Sequence, residues 1–294
     1  MKLVTYLSLG EKKIGVMTPA GQIIDVTATV NTNDMNVLIE EFATYKEILT
    51  TRSQSAGQHA VPVGDVRLLA PIPYTRRNIF CVGKNYHAHA EEFGNSGYDS
   101  SASGGNVPTY PIIFSKPATA ICGPGAGIDS TLDPSGTIDY EAELAVVVGK
   151  RGRIAETDDP MSFVFGYTLV NDVTSRHLQK QHSQWLLGKG IDTFCPMGPV
   201  LVTADEFGKP GAQRIFCHVN GEKRQEAVIA DLIFAIPDLL KTLGRSITLL
   251  PGDVIATGTP AGVGLGFDPP RYLGKGDKVT VSMREIGELT NTLI

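Results

Sequence analysis

Apolar positions in this chain alternate far more often than they follow a helical period. Leu3–Leu7, Lys13–Thr18 and Gln22–Asp25 alternate as short strands, with Gly21 in a turn before the last. Asn36–Leu49 instead places Val37, Leu38, Phe42 and Ile48 near helical spacing and predicts a helix. Thr51–Ala60 is small and polar and reads as a linker. Beyond Val66–Leu69 strands dominate: Ile79–Val82, Ile112–Ser115, Tyr140–Val148, Val164–Asn171, Val200–Thr203, Ile215–Val219 and Val279–Met283. Asn220-Gly221, between Ile215–Val219 and Glu222–Gln225, is a type I′ hairpin signal. Tyr86–Phe93 reads as a short helix, and Ala230–Leu243 as one interrupted at Pro237. Helices this few and irregular exclude a doubly wound sheet. The expectation is a mainly β (α+β) chain, with a small module over residues 1–70 and a larger domain over 71–294.

Composition changes this picture little. The 294 residues are 42% hydrophobic and 19% charged, as expected of an ordinary globular protein. A net charge of −5, with no basic run beyond Lys12-Lys13 or Arg76-Arg77, argues against a nucleic-acid partner. No stretch approaches the roughly 18 apolar residues of a membrane span. The start of the chain alternates and lacks a signal-peptide pattern, so a cytoplasmic location is expected. Cys81, Cys122, Cys195 and Cys217 are scattered without CxxC spacing and read as free thiols.

Candidate chemistry begins at Asp139-Tyr140-Glu141-Ala142-Glu143, which runs directly into Leu144–Val148. Strand alternation puts Glu141 and Glu143 on one face, at the mouth of a segment entering a core. Buried carboxylates need a positive partner, and oxygen ligands suit a hard cation such as Mg²⁺, Mn²⁺ or Ca²⁺. The pair alone reads equally well as a polar strand end. Asp172, closing the strand Val164–Asn171, supplies a third carboxylate; taken alone it reads as the N-cap of the short helical stretch through Gln179.

His89 and Glu92 stand at i and i+3 on the predicted Tyr86–Phe93 helix and share a face. A carboxylate beside an imidazole fixes its orientation and suits it to general-base work, although a surface ion pair gives the same pattern. Glycine and serine crowd the segment Glu92–Asn106, which reads as a surface loop or as an active-site lid. Thr257–Gly264 is glycine-rich, so its N–H groups can approach an anion closely, but it lacks GKS/T and a following Rossmann helix. Lys189 lies between glycines in Trp185-Leu186-Leu187-Gly188-Lys189-Gly190.

The blocks CVGKNYHAH, DYEAELAVVVGK, GYTLVNDVTSRHLQ, WLLGKGIDTFCPMGP, VNGEKRQ and GDVIATGTPAGVG together resemble the fumarylacetoacetate hydrolase family over roughly residues 71 to 285, in its bacterial acylpyruvate-hydrolase branch. The resemblance implies a mixed β-sandwich roll and a homodimer. It implies a divalent cation, Mg²⁺ or Mn²⁺, on Glu141, Glu143 and Asp172. It implies a His89/Glu92 dyad, Lys189 near metal and substrate, and Gln179, Arg176 and Thr259 on the substrate. His87 lies off the motif. Lys116, in Phe114-Ser115-Lys116-Pro117, matches a further motif without an assigned role. Where the family has Asp after the arginine, this chain has His177, which puts local pairing around Arg176 in doubt. The expected activity is metal-dependent hydrolysis of a C–C bond in 2,4-dioxo acids of acylpyruvate or fumarylpyruvate type, releasing pyruvate or a related oxo-acid. The same site also suits decarboxylation of oxaloacetate or isomerisation of an oxo-acid, and a non-catalytic binding protein is a third alternative.

Overall fold

A computed structural model describes residues 1–54, 60–97, 107–182 and 184–294. Two sheets dominate them, and the mixed α+β fold is mostly strand, as the alternation predicts. The larger sheet runs, in spatial order, Val61–Pro62, Gln22–Asp25, Glu11–Met17, Lys2–Ser8, Cys195–Thr203, Val164–Asn171, Ala142–Val148, Val254–Ala256, Ile79–Gly83 and Ile112–Lys116. Lys2–Ser8 pairs with Cys195–Thr203 through Leu3↔Leu201, so the N-terminal strands continue the same sheet as the site-bearing ones. The smaller sheet orders Glu222–Val228, Arg214–Val219, Lys278–Met283, Gly287–Leu293 and Gly127–Ile128.

The central strand Ala142–Val148 is buried on both faces, which explains its unbroken apolar run. Ala142, Leu144, Val146 and Val148 join a core shared with Cys217, Val279, Val281 and Leu289 of the smaller sheet. Ala145 and Val147 join the opposite core, under Val30, Leu38 and Leu49. Pairing with Val164–Asn171 in the register Ala142↔Asn171 brings Glu141 beside Asp172, whose N–H donates to the Glu141 carbonyl at 2.8 Å.

Local chemistry adjusts several sequence-derived boundaries. The helix expected over Asn36–Leu49 is two helices, Met35–Glu40 and Phe42–Gln54, because Glu41 leaves helical geometry at φ −99°, ψ 10°. The helix expected over Ala230–Leu243 starts only at Ile236, with Pro237 in its first turn, where a missing N–H goes unneeded. Asn220 and Gly221 both take positive φ, as a type I′ turn requires. The four cysteines are free. No helix among the described residues is long and apolar enough to cross a membrane.

Candidate active site

Glu141, Glu143 and Asp172 are buried and each offers a carboxylate oxygen within 4.8 Å of the others. Glu141 lies one residue before the strand rather than on it; the Asn171 side chain accepts from its N–H at 3.0 Å and holds it in line. Asp172 is not a helix cap. Ser175 caps Arg176–Gln181, accepting from Leu178 N–H, which leaves the Asp172 carboxylate for ionic work.

Three buried cations face these acids. Lys189 Nζ donates to Glu141 Oε2 and to Asp172 Oδ2, both at 2.8 Å. Lys116 Nζ donates to Asp172 Oδ1 at 2.7 Å, to the Val173 carbonyl at 3.0 Å and to the Lys189 carbonyl. Arg176 Nη1 reaches Glu141 Oε1 at 2.8 Å and Gln179 Oε1 at 3.1 Å. Glu143 stands apart: Gly258 N–H donates to its Oε2 at 2.8 Å, and it enters no ion pair among the described residues.

The titration of the cluster reflects this inequality. Burial pushes the Glu141 carboxyl up, but Lys189 and Arg176 outweigh it and hold the group down at about 2. Burial also raises Glu143, and there the neighbouring charges of Asp172 and Glu141 add to it, leaving that carboxyl well above its usual range. Burial works against the Lys189 ammonium, but Asp172 and Glu141 raise it overall. An all-oxygen donor set with one carboxylate short of positive charge fits a hard divalent cation.

The cluster opens on a small pocket lined by Glu141, Lys189, Arg176, Gln179, Thr259 and His89, with Phe93, Phe114 and Trp185 as an apolar wall. His89 is buried on the helix His87–Asn95 and its Nδ1 lies 3.3 Å from Glu92 Oε2. His87, which lies off the motif, faces solvent. Of the segment singled out as a possible lid, Glu92–Asn106, residues 98–106 lie outside the described residues.

The glycine-rich loop does bind anions, but they are the protein's own. Gly258 N–H serves Glu143, Gly262 N–H serves Glu92 at 3.0 Å, and Gly264 and Leu265 N–H groups serve Asp139 at 2.6 and 3.0 Å. Gly262 must be glycine: its φ is +100°, and a Cβ would lie 2.0 Å from the Arg224 carbonyl. Thr259 Oγ1 accepts from Gln225 Nε2 at 2.8 Å, and Gln225 Oε1 accepts from Ala142 N–H at 3.0 Å, so one buried glutamine ties the loop to the central strand.

Sequence reasoning gave no role to Asp139, Gln225 or Lys84, a buried pocket-lining residue at φ +54°. Asp139 had a signal, because D-x-E-x-E puts it on the parity of Glu141 and Glu143. His177 is exposed, and Arg176 pairs instead with Asp139, 2.9 Å from Nε, as well as with Glu141.

Residues 78–294 match the fumarylacetoacetate (FAA) hydrolase C-terminal family. The chain is 44% identical over 237 residues to the oxaloacetate tautomerase YisK of Bacillus subtilis, covering 81% of this chain and 76% of that protein. Among solved structures, the fumarylacetoacetate hydrolase of Exiguobacterium antarcticum superposes with a TM-score of 0.82 at 38% identity, covering 100% of this chain and 99% of that one. Maleylpyruvate hydrolase of Sphingobium sp. SYK-6, in complex with manganese(II) and pyruvate, gives a TM-score of 0.81 at 28% identity with the same coverage. The matched span holds the carboxylate cluster, the three buried cations and the dyad, and on both counts, sequence and fold, this chain belongs to the fumarylacetoacetate hydrolase family.

Proposed function

We propose that this protein catalyses proton transfer on a short 2-oxo diacid, with keto–enol tautomerisation of oxaloacetate as its reaction. The observation that carries the reading is one small pocket on which Glu141 of the carboxylate cluster, three cationic side chains (Lys84, Arg176 and Lys189) and His89 of the histidine–glutamate pair converge. The 44% identical relative being an oxaloacetate tautomerase supports the choice of substrate.

Tautomerisation moves one proton between the C2 oxygen and C3, and no atom is gained or lost. Glu141, Glu143 and Asp172 would hold Mg²⁺ or Mn²⁺, which when bound draws electron density from the 2-oxo group. His89 carries the C3 proton: Glu92 accepts from Nδ1, which leaves Nε2 for the substrate. Lys189 spends two donors on Glu141 and Asp172 and keeps a third for the C2 oxygen as negative charge develops there. Arg176 Nη2, buried and with no protein partner among the described residues, and Gln179 take the substrate carboxylate. Phe93, Phe114 and Trp185 keep water from that side.

Hydrolysis of an acylpyruvate is the second reading. The His89/Glu92 pair favours it, because the same base can activate water, and the maleylpyruvate hydrolase fold supports it. The experiment supplies enol-oxaloacetate, acetylpyruvate, fumarylpyruvate and maleylpyruvate to Mg²⁺- or Mn²⁺-loaded protein. It follows loss of the enol absorbance and release of pyruvate separately. Enol loss without pyruvate supports tautomerisation; pyruvate from an acylpyruvate supports hydrolysis, and pyruvate from oxaloacetate alone would indicate decarboxylation. No change of any substrate would overturn both readings.

A further inference from the structure

Asp139 is the most completely satisfied carboxylate near the site, yet it neither lines the pocket nor belongs to the three-carboxylate cluster. It is fully buried, and each of its oxygens accepts two hydrogen bonds. Oδ1 takes Tyr140 N–H at 2.9 Å and Gly264 N–H at 2.6 Å. Oδ2 takes Leu265 N–H at 3.0 Å and Arg176 Nε at 2.9 Å. A buried carboxylate accepting three backbone donors is a fixed point, and its fourth bond passes that rigidity to a guanidinium.

Arg176 is planar with five donors, so fixing Nε fixes the direction of the rest. Nη1 is consumed by Glu141 Oε1 and Gln179 Oε1. Nη2 is left buried without a partner among the described residues, on a side chain that lines the pocket. An unpaired buried donor is costly, and a ligand oxygen removes that cost. The Asp139 bond determines which nitrogen is left over.

We propose that Asp139 is the positioning residue of the site: it aims Arg176 Nη2 at the ligand carboxylate and thereby sets anion affinity without holding the cation. This rests on the reading of the pocket as an oxo-acid site, but its test needs no turnover. The probe is oxalate, titrated by calorimetry into Mn²⁺-loaded protein, with Mn²⁺ affinity measured separately.

Asp139→Asn keeps the shape but replaces one acceptor with a donor facing N–H groups. Oxalate affinity is expected to fall by about 10- to 100-fold, the scale of one charge-assisted hydrogen bond. Mn²⁺ affinity should stay within about threefold. In an Arg176→Met background the same substitution should weaken oxalate by less than about threefold, because its route of action is gone. An equal loss of oxalate affinity in both backgrounds, or a parallel loss of Mn²⁺ and oxalate, would make Asp139 a structural anchor and overturn the proposal. If Asp139→Asn does not fold, Arg176→Lys asks the same question: lysine keeps the charge but lacks the fork that Asp139 holds. Oxalate affinity within about twofold of wild type in that variant would also overturn it. Wild-type protein that binds oxalate yet converts no oxo-acid would remove the proposed reaction and leave the role of Asp139 standing.

Discussion

Lys189 Nζ lies 2.8 Å from Glu141 Oε2, and the same nitrogen lies 2.8 Å from Asp172 Oδ2. One ammonium therefore spans two of the three carboxylates proposed to hold a cation, and leaves the third, Glu143, to the backbone of Gly258. Together with Lys116 on Asp172, it keeps the cluster from collapsing under its own charge.

Replacing Lys189 by Met should therefore separate metal binding from chemistry. Mn²⁺ should bind at least as tightly, because a neighbouring positive charge is gone, while kcat/KM falls by about two to three orders of magnitude, the scale of a lost oxyanion donor. Calorimetry and steady-state kinetics on one preparation measure both. Loss of Mn²⁺ binding would show that Lys189 holds the site together instead.

Chelation should abolish activity and either Mg²⁺ or Mn²⁺ should restore it, since three buried carboxylates converge with one of them uncompensated. Glu143→Gln should lower metal affinity by an order of magnitude or more. Full turnover after exhaustive dialysis against a chelator would contradict the assignment.

Metal-free protein should lose stability as pH rises above the ordinary carboxylate range. The folded-state value of Glu143 is raised, so its neutral form is favoured in the native state, and that contribution fades as pH climbs through the raised value. Glu141, held at about 2, acts oppositely: its contribution is present above the ordinary carboxylate range and lost as pH falls towards about 2. A bound divalent cation removes the Glu143 penalty. Melting curves between pH 5 and 8, with and without Mn²⁺, should diverge as pH rises; parallel curves would rule this out.

His89→Ala should reduce turnover by about two to four orders of magnitude, the usual scale for a general acid–base group. Metal affinity should persist, since His89 belongs to the pocket wall rather than to the three-carboxylate cluster. Wild-type kcat in this variant on the best substrate would remove the dyad from the mechanism.

Gly262→Ala tests the loop. It forces a side chain into φ +100° and against the Arg224 carbonyl, and displaces the N–H that holds Glu92. A stability loss of about 1–3 kcal/mol is expected, with a further fall in kcat from a misplaced His89 partner. Unchanged melting temperature and kcat would show that the loop tolerates the shift.

What the sequence determined was the content of the strands and the identity of the acids. Period-two alternation marked Leu3–Leu7, and the apolar run after Glu143 marked a strand entering a core, which the structure buries on both faces. Parity put Glu141 and Glu143 together, and ordered motifs named the family. Tertiary structure decided everything that depends on partners distant in sequence. The Ala142↔Asn171 register brings Asp172 beside Glu141, and the fold carries Lys116 and Lys189 to that pair. Thr257–Gly264 reads as an anion loop in sequence, but only the packing of the strands shows that its anions are Glu92, Asp139 and Glu143. Lys116 and Asp139 stand in recognisable sequence patterns, but the patterns assign them no partner for the same reason. A charge buried in a core takes its role from the opposite charge it meets, and that meeting is made by long-range contacts which local pattern does not encode.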